Sequence, residues 1–125
     1  MTDDELRETI KKLQYQVSVL GQTIDYERHP VEALIMSMDW GPGEIDKAHD
    51  IFERWEARID AGEKLSKHQF ENDFEMALGL SYQGLKSVVI AFWENGQWTS
   101  VCEAYVDSFD GMAPIEYHRI ARRER

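Results

Sequence analysis

The first 24 residues carry an unbroken apolar seam, and this feature most constrains how the chain can fold. Its members alternate at spacings of four and three residues: Leu6, Ile10, Leu13, Val17, Leu20 and Ile24. This heptad pattern, with leucine at the d positions and β-branched residues at the a positions, is typical of a helix that packs knobs-into-holes against other helices. The seam therefore predicts an oligomer interface and identifies no chemistry.

The positions beside the seam carry almost no charge to select a partner or an orientation. These e and g positions are Arg7, Thr9, Gln14, Gln16, Gly21 and Thr23. Leucine at d with β-branched residues at a favours two parallel strands, yet three heptads form only a marginal isolated coil. We therefore expect this helix to pack into a larger bundle, within a homo-oligomer whose order the sequence leaves open.

Composition indicates a single acidic, soluble domain. The chain has 125 residues and a formal charge of −10, which disfavours contact with nucleic acid and anionic lipid. Cys102 is the one cysteine, so no intrachain disulfide is expected. The longest apolar run, Val88 to Trp93, is too short to cross a membrane, and the acidic N-terminus is the wrong charge for a signal peptide. We expect a cytoplasmic protein without membrane contact.

Helix signals divide the first 40 residues into two helices. Thr2 with Glu5 three residues later forms a capping box, which predicts that the first helix begins near Asp3. The seam continues this helix to Ile24. Pro30 suits the first turn of a second helix, which Gly41-Pro42-Gly43 ends.

Two further helices follow. The third is predicted over 42–60, with core spacing at Ile45, Ala48, Phe52, Trp55 and Ile59. Ser66 with Gln69 forms a second capping box, which predicts a fourth helix running to Leu78.

The region from Ser87 to Val106 fits two structures. Asn95-Gly96 between two apolar stretches is typical of a β-hairpin turn. However, apolar residues recur at helical spacing from Trp98 to Phe109, and Asn-Gly also suits the C-terminus of a helix. We favour two helices, and hence an all-α fold: a compact bundle of five or six helices.

Three stretches are similar to a known family: the amphipathic first helix, the stretch from Asp25 to Ile35, and the segment from Ala91 to Trp98. On these residues the chain resembles a YhaI-like family of uncharacterised small helical proteins from Bacilli. The resemblance covers roughly residues 5 to 109. The resemblance implies an all-helical, self-associating fold, and it carries no catalytic residue to this chain.

The last residues differ from the rest in charge. We divide the chain into a helical domain over 1–109 and a short basic tail over 110–125, with Arg119, Arg122, Arg123 and Arg125. Arginines at such a position could bind phosphate. They more often end a solvated helix, whose dipole they complement, and we expect this role here.

Four side chains on the third helix are the candidates for a metal site: Asp46, His49, Asp50 and Glu53. Steps of three and four residues place them on one helix face, and imidazole with carboxylates can bind metal ions. On the helical wheel this face lies away from the apolar stripe. We therefore expect a solvated acidic face and no metal.

A nucleotide pyrophosphohydrolase of the MazG type is a sharper form of the metal hypothesis. Such enzymes hold magnesium with acidic residues on one helix and a Glu-x-x-Asp on the next. Glu53 and Glu56 could begin the pattern, but Glu71 is followed three residues later by Phe74. The second half of the motif is missing.

No nucleophilic or cofactor site is predicted. Cys102 lies on the apolar stripe after Trp98, so we expect a buried and inert thiol. The remaining histidines, His29, His68 and His118, are scattered. We expect no catalytic residues and no cofactor.

The leading hypothesis is a non-catalytic, self-associating helical protein that acts through protein–protein contacts, with an unidentified protein partner possible. The interface would use the seam, and apolar contacts near Trp40, Trp93 and Trp98 could extend it. Two alternatives come from other classes. One is a metal-dependent hydrolase using the acidic and histidine face of the third helix, and the other is an acidic DNA mimic that inhibits a nucleic-acid-binding protein.

Overall fold

The computed structural model describes residues 1–123, and this part of the chain is all-helical, without a strand. The seven α-helices are α1 (Asp3–Gly21), α2 (Pro30–Met38), α3 (Pro42–Asp60), α4 (Lys67–Leu78), α5 (Tyr82–Glu94), α6 (Thr99–Asp107) and α7 (His118–Ala121). A 3-10 turn over Ile115–Tyr117 precedes α7. The all-α prediction is confirmed. The number of helices exceeds the predicted five or six because the C-terminal segment adds α7.

Side-chain caps fix the starts of three of these seven helices, α1, α4 and α5. The Thr2 hydroxyl accepts a hydrogen bond from the Glu5 amide at 3.1 Å, as the first capping signal predicts. Ser66 caps α4 in the same way. A third cap was not predicted from the sequence: the Ser81 hydroxyl accepts a hydrogen bond from the Gly84 amide at 3.0 Å, and α5 begins at the next residue. Each cap satisfies an amide that has no partner inside its helix.

The first helix ends earlier than its apolar pattern predicts. α1 ends at Gly21, whereas the seam continues to Ile24. Glycine is a poor helix former, and the Thr23 hydroxyl donates to the Leu20 carbonyl at 2.7 Å, which competes with continued helix. Ile24 consequently lies just beyond the helix, where it is half-buried.

The ambiguous region around Asn95-Gly96 forms two helices and no hairpin. α5 ends at Glu94, and Gly96 adopts a left-handed conformation with φ of 72°. Trp98 is also left-handed, with φ of 54°, and immediately precedes α6. The prediction of two helices is therefore confirmed, and the turn brings α6 back against α5.

Helix α5 forms the centre of the core. It packs against α2, α4 and α6, while α3 packs against α4 and α6. The largest fully buried side chains are aromatic: Phe52, Trp55, Phe70, Phe74, Phe92, Trp93, Tyr105 and Tyr117. The segment predicted as a basic tail over 110–125 also enters this core, because Tyr117 and Ile120 are completely buried in it.

Candidate functional site

Helix α1 carries the candidate association surface. None of its 19 residues is buried. The exposed fractions of Leu6, Ile10, Leu13, Val17 and Leu20 lie between 45% and 67%. We call these five residues together with Ile24 the α1 seam. The sequence predicted these residues as an oligomer interface, and within the single chain they remain open to water.

The apolar face of α1 is exposed, so packing within the single chain stabilises this helix little. Most helical stability in proteins comes from packing of an apolar face, and α1 buries none of its 19 residues. α1 meets the favourable local conditions, since Thr2 caps it and Asp3, Asp4 and Glu5 occupy its first turn. It lacks only a partner for the α1 seam.

A groove of about 670 Å³, which we call the seam groove, separates the α1 seam from α2. Its walls include Ile10, Leu13, Gln14, Val17, Gly21 and Ile24 on one side and Ala33, Met36, Ser37 and Asp39 on the other. Because the groove is open and mostly apolar, it offers a trough into which side chains from another helix could fit.

Gly21 sets how closely α1 approaches α2. A Cβ atom added at Gly21 would lie 3.3 Å from the Cε atom of Met36, tighter than an ordinary contact. The end of α1 thus lies against the flexible end of the Met36 side chain, which would have to shift by a few tenths of an ångström to admit a side chain at position 21. Met36 itself is 42% exposed and extends the apolar surface of the α1 seam onto α2.

A second groove of about 660 Å³ lies on the other side of α2, between α2 and α5. Ala33, Ser37 and Tyr26 line both grooves, so the exposed surface continues around α2. Arg119 and Glu94, which form an ion pair at 2.5 Å, also line the second groove.

The predicted metal face of α3 divides into one packed side chain and three exposed ones. His49 is half-buried, and its Nδ1 atom accepts a hydrogen bond from Trp98 Nε1 at 3.0 Å. The imidazole also packs edge-on against Phe92, with ring centroids 5.3 Å apart. The prediction that this whole face points to solvent is thus wrong for His49, which belongs to the edge of the core.

Asp46, Asp50 and Glu53 are exposed, as predicted. Among residues 1–123 the structure has no group of three or more His, Cys, Asp or Glu side chains placed to hold a metal ion. The remaining histidines, His29, His68 and His118, are exposed and lie on three different helices or their ends. The face of α3 offers separate carboxylates, while its imidazole nitrogen is already hydrogen-bonded.

The strained backbone at Trp98 explains how His49 acquires its partner. A left-handed conformation costs a bulky residue roughly 1–2 kcal/mol, and Trp98 adopts it at the N-terminus of α6. The indole stacks on Phe52, with ring planes 5° apart, and reaches His49 across the core. These contacts offset the strain.

Cys102 has the burial predicted for an inert thiol. It is fully buried, and its Sγ atom lies 3.6 Å from the Val89 carbonyl oxygen, to which it donates. Burial raises the pKa of the thiol far above its usual range. The reactive thiolate is therefore disfavoured.

The incomplete pyrophosphohydrolase pattern has structural roles. Phe74 is completely buried, so the position where the pattern needs an aspartate belongs to the core. Glu71 accepts a hydrogen bond from the Tyr105 hydroxyl at 2.6 Å. Asp73 accepts one from Trp55 Nε1 at 2.8 Å. Neither carboxylate–aromatic pair was predicted from the sequence, because the spacing of residues within α4 does not indicate which side chains of α3 or α6 they contact.

Two of the C-terminal arginines, Arg119 and Arg123, are held by carboxylates of the same chain. Arg119 pairs with Glu94, and Arg123 contacts Asp107 at 2.6 Å and Glu103 at 3.6 Å. The hydrogen bond to Asp107 raises the pKa of the Arg123 guanidinium. Arg125, the last of the predicted basic residues, lies outside the described part of the chain. The two described pairs compete with any phosphate for these guanidinium groups.

The three tryptophans expected to add exposed contacts are packed against the chain itself. Trp93 is completely buried and donates its Nε1 hydrogen to Glu103 at 3.0 Å. Trp40 and Trp98 are partly buried against the core. An extended association surface therefore has to use α2 rather than these rings.

Comparisons with protein-family models, curated proteins and solved structures found no match for this chain. Within residues 1–123, no helix has both the length and the apolar character that crossing a bilayer requires. The exposed surface of the molecule is consequently the feature that points to a function.

Proposed function

We propose that this chain is a non-catalytic, self-associating helical protein that acts through protein–protein contacts made by α1. The observation that carries the proposal is the exposure of the α1 seam on a 19-residue helix without a buried side chain. Monomeric proteins rarely keep a continuous apolar patch of this kind in water. A second copy that covers the seam would provide the packing that α1 lacks.

Two features of the chain support a role by contact rather than by chemistry. The one thiol is buried, and the imidazole of His49 is engaged by Trp98. The proposal places the protein in the cytoplasm, since one cysteine provides no intrachain disulfide for an oxidising compartment. Membership of the YhaI-like family stays a prediction of the sequence, and its implied self-association agrees with the proposal.

The experiment is light scattering coupled to size-exclusion chromatography on the full chain. We expect the wild type to have a mass of at least twice 14.6 kDa at about 100 µM. Leu13→Asp and Val17→Asp each place a charge in the middle of the α1 seam. Both variants should elute as monomers, because a desolvated, unpaired carboxylate opposes packing.

Tyr15→Asp is the matched control. Tyr15 lies on the same helix between the two test positions, but it is off the seam and 71% exposed. The substitution brings the same charge and the same helix propensity, so it should leave the mass unchanged. A monomeric wild type would overturn the proposal, as would equal masses for all three variants.

A further inference from the structure

We propose that the second copy binds antiparallel, with its α1 lying in the seam groove, so that α1 and α2 of both copies form one four-helix bundle. This inference rests on the proposed function and adds its geometry: the occupant of the seam groove, its orientation, and the participation of α2. The interface would be symmetric, each copy contributing the same surface.

The available area fits a dimer of this kind. The half-exposed seam residues and Met36 present roughly 500 Å² of apolar surface per chain. A stable interface buries about 800 Å² of each partner, so the polar flanks of α1 and the α2 wall of the seam groove have to contribute the remainder. The seam groove is lined by both α1 and α2. A helix placed in it therefore touches two helices instead of one.

The order of residues in the α1 seam is self-complementary in the antiparallel direction. With the two-fold axis crossing the seam at the level of position 15, whose own side chain lies on the opposite face of the helix, every d residue meets an a residue of the other copy. Leu13 meets Val17 of the partner subunit, Ile10 meets Leu20 of the partner subunit, and Leu6 meets Ile24 of the partner subunit. The four seam residues from Ile10 to Leu20 thus find an apolar partner within the two helices, while Leu6 faces the turn that follows the other α1, where Ile24 of the partner subunit lies.

The mostly uncharged e and g positions beside the α1 seam are also compatible with antiparallel pairing. In antiparallel pairing, e positions face e positions and g positions face g positions. Gln14 and Gln16 then meet their own copies near the axis, where two amides can donate to and accept from each other. Arg7 comes beside Gly21 of the partner subunit, so like charges do not meet along the flanks.

Charge at the helix start disfavours the parallel alternative. Asp3, Asp4 and Glu5 occupy the first turn of α1, and Asp3 lies at an a position, one step before the α1 seam. A parallel pair would place the two Asp3 carboxylates against each other and bring both acidic turns together. Antiparallel pairing moves them to opposite ends of a helix about 28 Å long.

The preference of leucine at d and β-branched residues at a for parallel strands belongs to isolated two-stranded coils. In the seam groove each α1 also packs against an α2, so the rules of four-helix bundles apply, in which neighbouring helices are commonly antiparallel. The N-terminal half of the partner's α1 would cover Met36, which is 42% exposed and already rests against Gly21.

Cysteine cross-linking of the full chain tests the orientation. Disulfides need Cα atoms within about 7 Å. In the antiparallel pair, position 10 lies near position 20 of the partner subunit, whereas the two copies of position 10 are ~15 Å apart. Ile10→Cys mixed with Leu20→Cys should therefore form the mixed disulfide on oxidation, and each variant alone should not cross-link.

A second measurement, of the dimerisation affinity, tests whether α2 takes part in the interface. Met36→Asp should weaken dimerisation at least tenfold, while Met76→Asp, at a 77% exposed position on α4, should not change it.

In the cross-linking experiment, the wild type, whose Cys102 is buried, is the control for background oxidation.

Each experimental outcome leads to one conclusion. Cross-linking of Ile10→Cys with itself would establish parallel pairing and overturn this inference, while leaving self-association intact. A dimer that forms none of these disulfides, or that is indifferent to Met36→Asp, would overturn it as well. A monomeric wild type would instead remove the proposed function on which it rests.

Discussion

Trp98 and His49 are joined across 49 positions of sequence by one hydrogen bond, in which the indole Nε1 donates to the imidazole Nδ1 at 3.0 Å. The bond occupies the lone pair of Nδ1, one of the two ring nitrogens through which a histidine can bind a metal ion. It also ties α3 to the start of α6. His49 is thereby a structural side chain at the edge of an aromatic core.

His49→Ala should destabilise the fold by about 1 kcal/mol, because it leaves the half-buried Trp98 N–H without its acceptor and removes the ring contact with Phe92. Asp50→Ala, at the next and exposed position, should change stability by less than about 0.5 kcal/mol. Urea denaturation followed by circular dichroism measures both. Equal effects would mean that the hydrogen bond contributes nothing.

Added magnesium, manganese or zinc should leave the melting temperature unchanged. A ligand that binds only the folded state raises that temperature, and residues 1–123 contain no group of three or more His, Cys, Asp or Glu side chains placed to hold a metal ion. Differential scanning calorimetry with each metal in excess is the measurement. A metal-dependent increase that Asp46→Asn abolishes would favour the hydrolase alternative.

The two buried tyrosines of the core should respond oppositely to loss of their hydroxyls. Tyr105→Phe should cost about 1 kcal/mol, since its hydroxyl donates to Glu71 at 2.6 Å. The Tyr117 hydroxyl is buried without a hydrogen-bond partner among the described residues. Tyr117→Phe should therefore be neutral or stabilising. Chemical denaturation of both variants tests the pair, and a larger loss for Tyr117→Phe would contradict the assignment.

Stability should fall at alkaline pH. Burial raises the pKa of Tyr105 and Tyr117, and the hydrogen bond to Glu71 raises that of Tyr105 further. The unfolded chain releases these protons near its ordinary pKa of about 10, while the folded chain retains them. The resulting stabilisation is complete below that pH and is lost as the pH increases above it.

Melting temperatures between about pH 8 and pH 11 measure this loss. Tyrosinate absorbance supplies the control, because the two buried phenols should ionise only as the protein unfolds. Ionisation of all five tyrosines in the folded protein would contradict the prediction.

Local signals in the sequence predicted much of the helical framework. Thr2, Pro30, Pro42 and Ser66 mark helix starts that the structure confirms, because capping and proline geometry depend on neighbouring residues alone. The end of α1 was predicted less well. The heptad pattern continues through Gly21, and the pattern of apolar residues does not weigh the low helix propensity of glycine.

Long-range pairs could not be derived in the same way. The wheel of α3 places His49 away from the apolar stripe, and only the left-handed turn at Trp98 brings the indole to it. Tyr117 and Ile120 were assigned to a basic tail because charge dominates that segment, although their spacing of three residues is a weak helical signal. The α1 seam was visible throughout, since a heptad pattern needs no partner to be recognised.

Amide hydrogen exchange along α1, measured over a range of protein concentrations, tests the central claim most directly. α1 has no buried side chain of its own, so its hydrogen bonds should be protected only when a second copy covers the α1 seam. We predict that protection of residues 7–21 increases with concentration, while that of α5 stays constant. Protection of α1 that is absent at every concentration, or that is equally strong on dilution to the monomer, would contradict the account.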